Sequence, residues 1–351
     1  MLPSEILPAL EDTLQRLVKD YQDLNPRFIQ AIDHTPSAVE FSKFVTANRP
    51  LVFRGQGHRE EIAALYRWSN SYLVEKLGGR RVAIAVSPDG RADSIIDGNF
   101  VEPASVDMSL EDLFASLNPK RTEINIPPPA VHYLQSQNGN LAESGELHPL
   151  LEDVGEGPEW AREVFGQKAF SSSRTFQLFI RKPTGEPPDV ANSPDPYENI
   201  YLVIRGTKTF TLLPPTEFYC LHEREFPSAH YTHTPPSTFE LAPSSPPFSV
   251  PWIPVDPTSP DLSLYPRFAY AKPLTITLEA GDMLYLPALW FHRVAQDVGP
   301  SPAGAAEEPA AIAANWWYDM SMNAPLWSTA AFVRRTTMLL DGRVEPNLDE
   351  D

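Results

Sequence analysis

Asp195, Lys208, His292 and Asn315 are the residues whose types and spacing could do chemistry in this chain. His292 closes the run Leu284-Tyr-Leu-Pro-Ala-Leu-Trp-Phe-His292, Asn315 opens Asn315-Trp-Trp-Tyr-Asp319, and Asp195 and Lys208 flank Tyr197-Glu-Asn-Ile-Tyr201. A carboxylate and a distant imidazole can meet at one metal ion if different strands of a barrel carry them to the same mouth. Iron(II) that must also accept a bidentate cosubstrate and dioxygen needs three protein ligands on one face, and two imidazoles and a carboxylate meet that need. On a jelly-roll the first His and the carboxylate lie two residues apart at a strand start, and the second His comes from a strand across the mouth. Asp195 and His292 fit two of those places.

Such side chains need a β framework to hold them. From about Thr175 onward β signals dominate: Thr175–Ile180, Asn199–Ile204, Lys208–Leu213, Leu274–Leu278, Met283–Leu286 and Ala311–Trp317. Short strands punctuated by Gly and Pro predict a sandwich or barrel. The Pro/Ser-rich stretch Pro214–Pro260 and the Ala/Pro/Glu-rich Gly299–Pro309 read as long surface connections. Upstream, Leu10, Leu14, Leu17, Val18, Tyr21 and Leu24 fall at helical spacing, predicting an amphipathic helix that ends before Pro26. Its apolar face is expected to pack on the main domain or to form a dimer contact. A second helix over Ser37–Ala47 precedes strands Pro50–Arg54 and Arg81–Val86, and Pro325–Leu340 returns to a helical pattern. The domain reading is a helical region over 1–45, a main domain over 46–335 with the two insertions, and an acidic tail over 336–351.

Composition narrows the partners. The net charge of -18 disfavours a grip on phosphate backbones or anionic membranes and suits basic protein segments. Cys220 is the only cysteine, which excludes an intrachain disulfide and predicts a cytosolic or nuclear setting. No apolar stretch is long enough to span a bilayer, and the opening residues lack the pattern of a signal peptide, so a soluble intracellular protein is expected.

The blocks Tyr197–Tyr201, Gly206-Thr-Lys208, Pro251-Trp-Ile-Pro-Val-Asp-Pro257, Ala280–His292 and Asn315–Asp319 together resemble the JmjC (jumonji C) oxygenases. Asn48–Arg54, Ala85–Gly90 and Tyr133–Leu141 extend the likeness over nearly the whole chain. The resemblance implies a double-stranded β-helix of the cupin type and a site for iron(II) with 2-oxoglutarate as cosubstrate. Asp195 and His292 would be metal ligands, and Lys208 would pair with the distal carboxylate of 2-oxoglutarate, a task that suits an ammonium pointing into a barrel. Tyr133, Asn199, Tyr201 and Asn315 would line the same pocket. The implied reaction is hydroxylation of a protein side chain, most specifically a lysine of a translation-associated GTPase. Taken singly, each tyrosine could be a core aromatic and Lys208 a solvated strand residue; their joint order favours the site.

The family pattern is His-X-Asp, whereas this chain reads Ser193-Pro-Asp195. A serine hydroxyl is short and weakly basic, so only two of three protein ligands remain and metal affinity should fall steeply. The foreign stretch is contiguous: Lys168–Ala191 departs from the family's strand, while Trp160–Gln167 and Tyr197 onward keep to it. A lost site, a splicing or gene-model error, and a substitute ligand such as Asp189 are the three explanations. The intact flanks favour the second, because a drifting site should lose its ligands one at a time. If the site is lost, the alternative function is a catalytically impaired protein-binding module.

Cys220, His222, His230 and His233 have residue types suited to zinc, at low specificity within a Pro-rich stretch. The chain carries no Gly-rich phosphate loop, G-x-S-x-G elbow or basic aromatic stripe, so nucleotide hydrolysis, serine hydrolysis and nucleic-acid binding are poorly supported.

Overall fold

A computed structural model describes residues 5–55, 62–91, 93–117, 130–135, 145–166, 195–235, 238–298 and 310–344, with 176–181 as backbone. Helix α1 (Leu7–Leu24) starts at a proline turn and stops at Asn25, which turns extended before Pro26. Helix α2 (Ala38–Ala47) is capped by Ser37, whose hydroxyl accepts from the Glu40 amide, and ends where Asn48 takes a left-handed conformation at φ 47°.

The strands in chain order are β1 (Gln30–Ile32), β2 (Leu51–Phe53), β3 (Arg81–Ser87), β4 (Ser94–Ile96), β5 (Asn99–Glu102), β6 (Ala104–Ser109), β7 (Val131–Gln135), β8 (Phe176–Arg181), β9 (Tyr197–Arg205), β10 (Thr207–Leu213), β11 (Arg224–Thr234), β12 (Thr238–Pro243), β13 (Ser249–Trp252), β14 (Leu274–Glu279), β15 (Met283–Leu286), β16 (Phe291–Asp297) and β17 (Ala311–Asp319). A large sheet runs β1-β2-β15-β9-β17-β8-β7-β3-β6, and a small sheet β14-β10-β16 faces it. The result is a jelly-roll β-sandwich with helical additions, mostly antiparallel.

The central strands of the large sheet are apolar almost throughout because both their faces are covered, and alternation sorts the side chains. Tyr201 and Val203 of β9, Leu284 and Leu286 of β15 and Ala313 of β17 join Phe210, Leu212, Leu274, Leu278 and Trp290 in the layer between the sheets. Ile200, Leu202, Tyr285, Ile312 and Trp316 point the other way, into a larger core under the helices. There Phe41 of α2 meets Trp160 edge-on at 4.6 Å and Tyr285 at 5.0 Å, contacts worth about 0.5–1.5 kcal/mol each beyond burial. Between β9 and β10, Gly206 holds φ 78°, and a Cβ there would lie 2.5 Å from the Asp297 carbonyl oxygen, so only glycine lets β10 start in register with β16.

Helix α1 packs on the body: Leu14 and Val18 are buried among Phe218, Cys220, Ile253 and Val333. The C-terminal helix, Pro325–Leu340, buries Val333, Thr336, Thr337 and Met338. The stretch 214–260 differs from the irregular connection expected of it. β11 pairs β12 on one side, β13 and β5 elsewhere along its length, making a ribbon at the domain's flank. Its prolines hid the strands, yet Pro243 and Pro251 lie on outer strands, where an absent N–H can face away from the ladder.

Candidate active site

His292 is the second residue of β16 and pairs with Leu212 of β10, so its imidazole enters the space between the sheets. Asp195 lies two residues before β9, and its carbonyl oxygen accepts from the Leu289 amide at 2.9 Å, which ties the start of β9 to the turn leading into β16. The two side chains meet at the mouth, His292 Nε2 standing 3.9 Å from Asp195 Oδ2. Crowding by neighbouring atoms raises the Asp195 carboxyl above its usual range, and the His292 imidazole pulls it partly back.

The imidazole is oriented from behind. Its Nδ1 lies 3.1 Å from the Trp290 carbonyl oxygen, which can only accept, so Nδ1 carries the proton and Nε2 presents a lone pair toward Asp195. The Trp290 indole N–H donates in turn to both the carbonyl and the side-chain oxygen of Asn48, each at 2.9 Å, and the Asn48 amide donates to the Ala288 carbonyl at 3.1 Å. Buried Glu198 closes the frame, accepting from Tyr285 Oη at 2.7 Å and from the Ala288 amide at 3.1 Å.

A neutral imidazole and a carboxylate this close are donors that a single divalent ion with bonds of about 2 Å can bridge. They therefore fit two of the three facial positions of an iron(II) centre. Ser193, the alternative ligand Asp189 and the foreign stretch 168–191, apart from the backbone of β8, lie outside the described residues. Among the described residues no group of three His, Cys, Asp or Glu side chains is placed to hold an ion.

Deeper in the barrel, Lys208 is 3% exposed, with its ammonium 3.3 Å from Tyr201 Oη and 5.3 Å from the centre of that ring. Burial holds the Tyr201 phenol far above its usual range, so it stays a neutral hydrogen-bonding group. Asn315 pairs with Tyr201 across β9 and β17, and its amide donates to Asn199 Oδ1 at 3.1 Å. Lys208 and His292 face the same cavity because β10 and β16 are adjacent, with Lys208 opposite Gln296 and Leu212 opposite His292. A strand rise of about 3.4 Å per residue separates the two levels by roughly 13 Å along the sheet. Tyr133 lies on β7, two strands from β17 in the large sheet, and its hydroxyl is 3.5 Å from the Arg91 carbonyl oxygen. Lys208 on the small sheet thus meets Tyr201 of the large sheet, which also carries Asn199, Asn315 and, farther along, Tyr133.

Sequence reasoning missed three residues here. Gln296 sits opposite Lys208 with a buried Oε1 that has no hydrogen-bond partner. Trp317 and Tyr197 stack in parallel at the mouth, with centroids 5.3 Å apart. Strict alternation from His292, Asn315 and Asp195 would have found all three, since each lies an even number of residues away.

The residues considered for zinc part company. Cys220 is buried beneath α1, with burial pushing its thiol up, and His222 accepts from the Arg267 amide at 3.2 Å. His230 and His233, three apart on β11, project to opposite faces.

A model of the Cupin-like domain family matches residues 36–324. The bifunctional peptidase and (3S)-lysyl hydroxylase JMJD7 of Homo sapiens is 34% identical over 297 residues, 84% of this chain and 85% of that protein. JmjC domain-containing protein E of Dictyostelium discoideum is 32% identical over 342 residues, 91% of this chain and 92% of its own length. Lysine-specific demethylase JMJ32 of Arabidopsis thaliana is 32% identical over 307 residues, 84% of this chain and 83% of its own.

Proposed function

The chain belongs to the cupin-like JmjC family, and we propose that it is an iron(II)- and 2-oxoglutarate-dependent oxygenase that hydroxylates a protein side chain, lysine first among candidates. The observation that carries this reading is the meeting of Asp195 and His292 at 3.9 Å in the barrel that also buries the Lys208 ammonium. Two relatives of nearly equal similarity carry different names, lysyl hydroxylase and lysine-specific demethylase, so identity alone does not choose the reaction. Both names point to lysine.

Asp195 and His292 would hold the metal, with His292 delivered in the correct tautomer by the Trp290 carbonyl. Lys208 would meet the distal carboxylate of the cosubstrate, helped by the Tyr201 hydroxyl, because a buried ammonium is most stable beside an anion. Asn199 and Asn315 would offer amide groups nearer the mouth. Iron(II) and 2-oxoglutarate, when bound, would supply the electrons that activate dioxygen, one oxygen atom going to succinate as carbon dioxide is lost and the other to the substrate side chain as hydroxyl. The apolar layer around these groups excludes water and confines oxidation to the side chain that enters. The protein partner we propose is a basic segment, a translation-associated GTPase being the specific candidate, met in the cytoplasm or nucleus; a homodimer is proposed for the chain itself.

Ser193 favours a second reading, a binding protein that keeps the fold and cosubstrate wall without turnover. The two separate in one experiment: anaerobic iron(II) titration with 2-oxoglutarate on the chain and on Ser193→His, followed by succinate formation in air. Tight binding and succinate from the unaltered chain support the oxygenase. Binding and succinate only from Ser193→His support the impaired form, and neither in either protein overturns both uses of the site.

A further inference from the structure

Strand β17 carries adjacent tryptophans to opposite faces, and the structure gives them different fates. The Trp316 indole donates to the Gly155 carbonyl at 3.2 Å and its ring lies in the core under the helices. Trp317 faces the barrel side with Asn315, opposite Asn199, and its buried Nε1 has no hydrogen-bond partner among the described residues. A buried indole N–H normally finds an acceptor, and this one is closed off from solvent without one among the described residues. The ring stacks on Tyr197 at 5.3 Å between centroids and 7° between planes, and Tyr197 is 37% exposed.

Tyr197 is two residues on from Asp195, and exposed Asp319 pairs with Tyr197 across β9 and β17, on the same strand face as Trp317. The mouth therefore lines up a carboxylate beside the metal position, two parallel rings and a second carboxylate. We propose that Tyr197 and Trp317 form the platform for a lysine-type side chain of a protein substrate: the rings take its methylene stem and ammonium. An ammonium within about 6 Å of a ring face is attracted by the ring's quadrupole, and the flanking carboxylates and the net charge of -18 favour the same sign of ligand. This assignment rests on the oxygenase reading for the entry of substrate at this mouth.

The test uses the full chain, labelled with nitrogen-15, and pools of nine-residue peptides with randomised flanks and a fixed central lysine, norleucine or glutamate. The indole N–H signal of Trp317 is identified by its loss in Trp317→Phe. The expected result is that the lysine pool moves this signal at about tenfold lower concentration than the norleucine pool, and that Tyr197→Ala raises that concentration about tenfold while Tyr197→Phe restores it. A response equal for the three pools, no response, or indifference to Tyr197→Ala overturns the platform. Succinate formation by Ser193→His with the lysine pool is measured in parallel. Loss of succinate with the lysine response intact sinks only the oxygenase reading, and succinate without the response sinks only the platform.

Discussion

The Nε2 atom of His292 faces Oδ2 of Asp195 across 3.9 Å, although ninety-six residues of chain separate them. The Leu289 amide bound to the Asp195 carbonyl, and the Trp290 carbonyl bound to His292 Nδ1, hold both sides of that gap. In the Ser193→His background, His292→Gln and Asp195→Asn should each lower iron(II) affinity at least about 100-fold, since each removes a ligand and not merely a supporting contact. Anaerobic titration checks this; an affinity unchanged by either substitution would place the metal elsewhere.

Lys208 offers a prediction in which stability and binding move apart. Lys208→Met keeps the stem and removes a charge that is 3% exposed. Affinity for 2-oxoglutarate should fall roughly 30- to 100-fold, the worth of a charge-assisted pair of about 2–3 kcal/mol. The melting temperature of the unliganded protein should hold or rise, because a thioether is cheaper to bury than an ammonium. Calorimetry gives both numbers on the same sample, and a parallel loss of stability and binding would assign Lys208 a structural task.

Asn48 joins the end of α2 to the turn before His292, and its two contributions can be separated. Its left-handed backbone at φ 47° tolerates Asn or Gly, while its side chain bonds to Ala288 and Trp290. Asn48→Ala should cost about 2–3 kcal/mol and Asn48→Gly about 1 kcal/mol less, in urea unfolding. Both should also weaken iron binding in the Ser193→His protein, because both release Ala288 and remove one of the two acceptors of the Trp290 indole. Equal stability losses would mean that the backbone conformation carries no strain in the alanine variant.

Much of this site was legible from the chain. A period of two places His292, Lys208 and Asn315 on inward faces once the strands are recognised, and the strands announce themselves by apolar runs covered on both sides. The flank ribbon was not legible, because Pro243 and Pro251 argue against strands unless their outer position is known. Glu198 was equally hidden. A carboxylate between Tyr197 and Asn199 reads as a solvent-facing side chain along the chain, and only the approach of Tyr285 and Ala288 from β15 and the turn beyond it explains its burial.

His222 supplies a pH signature outside the site. It is buried at 9% exposure, and its Nε2 accepts from the Arg267 amide, so protonation would both charge a desolvated ring and break that bond. Burial first, then the Arg267 guanidinium, lowers its pKa from 6.5 to about 4, against a smaller opposing pull from Asp341 and with Arg224 adding to the depression. Between those values the unfolded chain binds a proton that the folded chain refuses. The stability contribution is therefore complete above about pH 6.5 and is lost as pH falls toward 4, reaching roughly 2 kcal/mol by pH 4.5. His222 also holds φ 54°, which asparagine accepts without titrating. His222→Asn should thus flatten the fall in urea-unfolding free energy between pH 7 and 4.5 by about 2 kcal/mol relative to the unaltered chain. Acid effects common to both proteins, chiefly carboxylate protonation, cancel in that difference, and identical pH slopes would show that the folded ring titrates as an exposed histidine does.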